Sequence, residues 1–200
     1  MADINFKYYK AELAIPIIGI TCYVLIKLSH ILVHEYQIAI SAFALASLFF
    51  NFINKYLWKY FPFKLLFKIR DISGIYTGTI NFEYWDNYNT KQTGSKKIEK
   101  IITQTGNSIV INTTTFNEET KVSSVSESKV EHIDIERDGS VKLIYNYFNR
   151  GNNELQLTPH YGTEILHFKN ELKNGIINGE YFTDRQPRQT RGKIELIKTA

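Results

Sequence analysis

The chain has 200 residues, 44% of them hydrophobic and 14% aromatic, a formal net charge of +4 and a mean hydropathy of -0.23. The charge is unevenly spread: residues 1–70 carry 8 Lys+Arg against 3 Asp+Glu, whereas residues 71–200 carry 16 against 17. Collagenous, disordered and disulfide-rich classes are excluded, since Cys22 is the only cysteine, and so is a nucleic-acid polymer binder with charge spread over its fold.

The first element is an apolar run from Ala11 to Val33, uninterrupted from Leu13 to Ile26 and then tolerating Lys27, Ser29 and His30. A second run, Ile38 to Ile53, has no charged residue. A bilayer core of about 30 Å needs roughly 20 helical residues, so each run spans when its polar flanks are recruited, with Lys27 snorkelling toward the headgroups. The break His34-Glu35-Tyr36-Gln37 is short, which predicts an antiparallel transmembrane hairpin. Lys7 and Lys10 precede it and Lys55, Lys59, Lys64, Lys68 and Arg70 follow it, so the positive-inside rule places both termini in the cytoplasm. Tyr56, Trp58, Tyr60, Phe61 and Phe63 interleave with those lysines, the composition of a segment at an anionic headgroup layer.

Three other readings of these residues stand beside the hairpin. The first run has the character of a signal-peptide core, with Ala44-Leu45-Ala46 as a cleavage-like site, but that site lies far downstream. Alternatively both runs form a buried helical pair of a soluble protein. His30 and His34 have metal-ligand spacing without a nearby acid or thiol, which favours interfacial imidazoles over a metal site.

Beyond Phe67 the pattern turns into short runs rich in Ile, Val, Thr, Tyr and Phe, separated by Gly, Asn and Asp clusters. Eight strands are predicted: Ile72–Trp85, Lys96–Thr105, Ser108–Phe116, Thr120–Ile135, Ser140–Phe148, Leu155–Tyr161 continuing through Ile165–Lys169, Ile176–Thr183 and Gly192–Lys198. Thr105-Gly106-Asn107, Arg137-Asp138-Gly139 and Lys173-Asn174-Gly175 are turn signals. No helical segment intervenes, so the expected fold is a small eight-stranded antiparallel, lipocalin-like β-barrel over residues 71–200, following a two-helix membrane hairpin with its basic aromatic segment over 1–70.

Alternation predicts the faces: Gly74, Tyr76, Gly78, Ile80, Phe82 and Tyr84 share one, as do Val141, Leu143, Tyr145 and Tyr147, and Ile177, Gly179, Tyr181 and Thr183. Such a lumen is aromatic and hydroxylated, suited to one small ligand with a stacking base and hydrogen-bonding oxygens; the competing reading is that the tyrosines fill the core. Near the end, Arg185, Arg188 and Arg191 are spaced by three. Guanidinium groups at a barrel mouth make bidentate contacts to phosphate, so an anionic ligand is expected there, the plainer reading being a solvated turn. No catalytic motif and no metal-binding cluster occurs, and the chain is read as a non-enzyme.

Gly74-Ile75-Tyr76-Thr77-Gly78, His160-Tyr161-Gly162-Thr163, Gly179-Glu180-Tyr181-Phe182-Thr183-Asp184-Arg185 and Thr190-Arg191-Gly192-Lys193-Ile194-Glu195-Leu196, behind two apolar runs, resemble the two-transmembrane, β-strand-rich effectors of cyclic-oligonucleotide-based antiphage signalling (CBASS) in bacteria. The resemblance implies a receptor for a cyclic dinucleotide made by a cognate nucleotidyltransferase. Ligand binding would then drive homo-oligomerisation of inner-membrane helices, membrane disruption and abortive infection. Chemistry and alternation assign the two phosphates to Arg185, Arg188 and Arg191, the bases to Tyr76, Tyr145 and Tyr181, and a hydrogen bond to Thr183. Two alternatives of other classes remain open: a membrane-anchored carrier of an apolar molecule, which requires an aliphatic lumen, and an envelope assembly protein, which requires a filled one.

Overall fold

The computed structural model describes residues 7–32, 38–117, 121–169, 176–185 and 188–199. The polar break His34 to Gln37, with His34 of the histidine pair, the strand start at Thr120, the Lys173-Asn174-Gly175 turn and Gln186-Pro187 lie outside them. The chain divides into two compact units, residues 1–71 with 104–108, and 72–103 with 109–200.

In the first unit, α1 (Ala11–Leu32) and α2 (Ile38–Phe52) pack together. Among the described residues α1 alone is long and apolar enough to cross a membrane, over Ala11–Leu28, and only 6% of that stretch is buried. Leu13, Ile15, Ile20, Val24 and Leu28 are exposed, as are Leu45, Leu48, Phe49 and Phe52 of the shorter α2. A buried cluster lies at one end of the pair, formed by Tyr9, Ala14, Phe50, Ile53, Trp58, Leu66 and Phe67. Tyr9 and Phe67 make an antiparallel bridge, closed by Lys10 N–H donating to the Leu66 carbonyl at 2.8 Å and Lys68 N–H to the Tyr8 carbonyl at 2.9 Å. The basic aromatic segment is therefore folded back on the start of α1, with Lys7, Lys55 and Lys59 each over the ring of the next tyrosine.

The second unit is a closed antiparallel barrel in sequence order: β1 (Gly74–Trp85), β2 (Lys91–Gln104), β3 (Ile109–Phe116), β4 (Val122–Ile135), β5 (Val141–Asn149), β6 (His160–Phe168), β7 (Ile176–Thr183) and β8 (Arg191–Lys198), with β8 pairing back to β1. The expected eight-stranded barrel is thus present. Closure leaves no strand edge unpaired, and the β1–β8 seam is tight enough that a β-carbon on Gly78 would lie 1.9 Å from the Glu195 carbonyl oxygen.

Two boundaries lie five residues from the sequence expectation, and the other described ones within two. β2 starts at Lys91, because the polar stretch Lys91–Ser95 pairs with Asn81–Trp85 of β1 across a tight turn in which Asp86 Oδ1 accepts the N–H groups of Tyr88 and Thr90, both at 2.9 Å. β6 starts only at His160: Asn153–Leu155 is a 3-10 turn capped by the Asn152 side chain, and Gln156 takes φ 50°, so the chain reverses there. Alternation holds inside the strands. Ile177, Gly179, Tyr181 and Thr183 are buried while Ile176, Asn178, Glu180 and Phe182 are exposed.

The barrel fills unevenly. At the end where β1 begins, Tyr76, Ile98, Ile102, Ile109, Leu143, Leu166, Phe168 and Leu196 close the lumen with aliphatic and aromatic side chains. The other end, where the β1–β2, β5–β6 and β7–β8 connections lie, is open.

A cationic cavity at the open end of the barrel

The open end holds a cavity of about 450 Å³, inside the range of about 300–1,000 Å³ usual for small-molecule sites. One wall is aromatic, from Ile80, Phe82 and Tyr84 of β1 and Tyr181 of β7; the facing wall is short and hydroxylated, from Thr113 and Thr115 of β3 and Ser123, Ser124 and Ser126 of β4. The small side chains leave the space that the large ones would otherwise fill. Phe82 and Tyr84 stack with a 14° interplanar angle and 6.5 Å between centroids. Tyr147 also lines the cavity, its ring against Gly162, where a β-carbon would meet it at 2.4 Å.

At the floor, Lys100 is fully buried on a barrel strand, although β2 carries it between Ile98 and Ile102. Its ammonium donates to Thr113 Oγ1 at 2.9 Å and to Tyr145 Oη at 3.3 Å, and lies 2.7 Å from Glu164 Oε1 on β6. The last contact is a close approach of opposite charges outside hydrogen-bond geometry, leaving that oxygen without a hydrogen-bond donor. Burial first, then the Glu164 charge and a hydrogen bond to it, holds the Tyr145 phenol well above its ordinary pKa. Tyr147 is raised by burial and by Glu164, and Tyr181 chiefly by burial. All three stay neutral donors at physiological pH.

The rim is cationic. Lys96 donates to Ser123 Oγ at 2.9 Å and is half-buried; burial, followed by the nearby Arg185 charge, holds its ammonium below the ordinary lysine range. Arg188 lies over the Tyr84 ring at 5.8 Å. With Lys100 offset by Glu164, the remaining lining charges are Lys96, Arg185 and Arg188, all positive; none of them is in an ion pair among the described residues, and Arg188 feels the Asp86 carboxylate at longer range. Groups of His, Cys, Asp and Glu able to hold a metal ion are absent among the described residues.

The residues singled out from sequence divide by height and by face. Tyr181, Thr183, Arg185 and Arg188 line the cavity. The Thr183 hydroxyl is engaged in the β7–β8 connection, accepting from Thr190 N–H at 3.0 Å with Thr190 Oγ1 at 3.1 Å. Tyr76 lies at the filled end, edge-on to Phe168 and donating to the Ile72 carbonyl at 2.7 Å. Tyr145 is buried beneath the cavity in the Lys100 network. Arg191 stands on the outer surface, where Nε donates to Glu83 Oε1 at 2.7 Å beside the Lys91–Glu83 pair at 2.6 Å. Lys96, Lys100, Glu164 and the β4 serines are lining residues that the motif reading passed over; strand parity, which puts Lys100 with Ile98 and Ile102, and Glu164 with Leu166 and Phe168, is the signal that finds them.

Residues 67–198 match the family model described as Cap15, cyclic dinucleotide receptor domain. The chain belongs to this family. It is a family of CBASS receptor-effectors and not of enzymes, which agrees with the resemblance carried by the Gly74–Gly78, His160–Thr163 and Gly179–Arg185 motifs. No curated protein matches the chain. Among solved structures, the solution NMR structure of the de novo designed TMB2.3 aligns over 66% of this chain and 99% of its own at 10% identity, with a TM-score of 0.28. That score carries no argument about the fold.

Proposed function

We propose that the barrel binds one cyclic dinucleotide, supplied by a cognate nucleotidyltransferase, in the open-end cavity, and that the amino-terminal helices are the membrane effector it controls. The observation that carries this reading is the convergence of Lys96, Arg185 and Arg188 on one hydroxyl-lined, aromatic-walled cavity in a unit otherwise near neutral. A cyclic dinucleotide brings two phosphates to the cations and two bases to the Phe82, Tyr84 and Tyr181 rings. A charge-assisted contact contributes about 1.5–3 kcal/mol, so two or three account for most of a micromolar affinity. An apolar carrier fits poorly, because the cavity floor is a buried ion pair and one wall is serine and threonine.

For residues 1–70 the proposal is a two-pass hairpin in a bacterial inner membrane with both termini cytoplasmic, α2 recruiting the residues that flank it. The exposed aliphatic surface of α1 and the lysines around Trp58 support this. Ligand binding changes the helices only if the assembled state binds ligand more tightly than the separate chains do; homo-oligomerisation of the helices and membrane disruption would follow from that difference.

Calorimetric titration of the full chain in nanodiscs with cyclic di- and trinucleotides tests the receptor reading: saturable binding of at least one cyclic dinucleotide is expected, and no heat with every member refutes it. A reporter fused after Ala200 should score cytoplasmic, and a periplasmic signal refutes the topology.

A further inference from the structure

The chain passes from one unit to the other at three points, after Asp71, after Thr103 and after Ser108. Two of them flank one short turn. β2 leaves the barrel unit at Thr103, β3 re-enters it at Ile109, and residues 104–108 between them belong to the first unit. Thr105 N–H donates to the Ser108 carbonyl at 2.9 Å and closes the turn, while Gly106 N–H donates to the Asn54 carbonyl at 2.9 Å. Gln104 Nε2 donates to the Arg70 carbonyl at 3.2 Å, one residue before the remaining passage, so all three passages meet at this turn.

The seat of the turn is specific. Gly106 is buried, and a β-carbon there would collide with the Phe67 ring and approach Asn54 Oδ1 to 2.9 Å. Phe67 packs on Tyr9 at 4.5 Å and on Trp58 at 6.5 Å, in the cluster that also holds Ala14 of α1 and Phe50 of α2. Asn54 lies in a π-helical turn, Ile53–Leu57, that continues α2; such turns are rare and recur at functional sites. The Asn54 side-chain oxygen is buried with no hydrogen-bond donor, which raises the free energy of the seated arrangement and lowers the cost of leaving it. Both strands that run into the turn carry the cavity, with Lys96 and Lys100 on β2 and Thr113 and Thr115 on β3. Lys100 and Thr113 stand four residues from Gln104 and Ile109, a strand length of about 13 Å, and the Lys100–Thr113 hydrogen bond at 2.9 Å ties the two strands together. On β1 the first cavity residue, Ile80, is eight residues beyond Ile72, so the turn is the shorter route.

We propose that the β2–β3 turn is the coupling element of the receptor: occupancy of the cavity shifts β2 and β3, and the Gly106 seat passes that shift to the cluster joining α1 and α2. The inference rests on the receptor and membrane-effector reading above and names the element that joins its two halves. Gly106 touches no ligand; it is a positioning residue. The full chain and its Gly106→Ala and Gln104→Ala variants are titrated calorimetrically, in nanodiscs holding one chain each, with the set of 3′,3′-linked cyclic dinucleotides. Dye release by the same compounds is measured after reconstitution in vesicles of phosphatidylethanolamine and phosphatidylglycerol. In the unaltered chain the compound that binds should raise dye release at least about tenfold, a usual size for coupling between two sites. Both variants should bind it within about threefold of the unaltered affinity, since neither position lines the cavity, yet lose most of the release. Coupling is reciprocal, so the unaltered chain should bind more tightly in vesicles at high chain density than in nanodiscs, and the variants equally in both. Gln104→Ala adds no bulk and carries the test alone if Gly106→Ala does not fold. If no compound binds the unaltered chain, the receptor reading fails; if one binds without dye release, the effector reading fails. If the unaltered chain does both, variants that release dye as it does, or that lose binding in step with release, overturn the coupling inference.

Discussion

Replacing Lys100 by Met removes the only cation within 4 Å of the buried Glu164 carboxylate among the described ion pairs, along with the donors to Thr113 and Tyr145. The lysine side chain is 0% exposed and the glutamate 6%, so the little water that reaches the carboxylate from the cavity compensates poorly for the lost charge. Breaking a buried pair from one side costs about 3–5 kcal/mol, and a barrel of this size shifts its melting temperature by about 3 °C per kcal/mol, giving a drop of roughly 10–15 °C. Removing both charges costs much less, since the expense lies in the orphaned carboxylate: Lys100→Met with Glu164→Gln should recover at least about 2 kcal/mol relative to Lys100→Met alone. Urea titration of the full chain in micelles, followed by near-ultraviolet circular dichroism of the buried tyrosines, measures all four members of the cycle. If the double variant is as unstable as the sum of the singles, the two residues are not coupled and the description of the cavity floor as an ion pair is wrong.

Arg185→Ala and Arg188→Ala should each weaken cyclic dinucleotide binding by about 10- to 100-fold, while Arg191→Ala, whose guanidinium is engaged by Glu83 on the outer surface, should stay within about twofold; calorimetry on the full chain distinguishes them, and equal losses at all three would contradict the assignment of faces. Lys96 has a folded pKa below 10.5 because of burial and Arg185, so the cost of charging it in the fold is relieved as pH rises toward 10.5, whereas an anionic ligand favours its charged form. Affinity should therefore fall as pH rises through that lowered pKa, with proton uptake on binding; titrations in buffers of different ionisation enthalpy read the uptake, and its absence in Lys96→Met assigns it. Gly78→Ala drives a β-carbon into the Glu195 carbonyl, a backbone contact that cannot rotate away, and should destabilise the barrel by about 3 kcal/mol or more in the same urea assay.

Strand alternation made most of the barrel legible, because a half-buried strand advertises its two faces with a period of two. β5 and β7 follow that rule without exception, and the β1 face predicted from Tyr76 to Tyr84 points inward as expected. The cavity was less legible, for a geometric reason: period two tells in from out but says nothing of height. Tyr76, Tyr145 and Tyr181 share the inward face, yet only Tyr181 reaches the open end; the first two sit at or below the Lys100 row. The arginines fail differently. Arg185 and Arg188 lie in a connection, where side chains are free to turn to the mouth, but Arg191 has entered β8, and its register opposite Glu83 fixes it on the outer face. Lys100 and Glu164 were masked by their own chemistry, since charged residues are read as solvent-facing until strand parity is applied against that habit.

An eight-stranded barrel has an interior just wide enough for its own side chains, so a cavity exists only where the sequence withholds them. Here β3 and β4 withhold them with threonine and serine, opposite a wall of Phe82, Tyr84 and Tyr181, and only above the level of Lys100. Below that level Leu143, Leu166, Ile109, Ile111, Ile177 and Leu196 are each at most 1% exposed, and each contributes about 1.5–3 kcal/mol on burial. That lower half supplies the stability that a polar, half-empty upper half does not. The buried Lys100–Glu164 pair stands at the boundary, where its desolvation makes it a poor stabiliser compared with an apolar pair. Its position is better explained by the cavity it floors: it ends the dry core and leaves the lining cations that stand outside an ion pair, Lys96, Arg185 and Arg188, at the mouth, where the proposed doubly anionic ligand would meet them first.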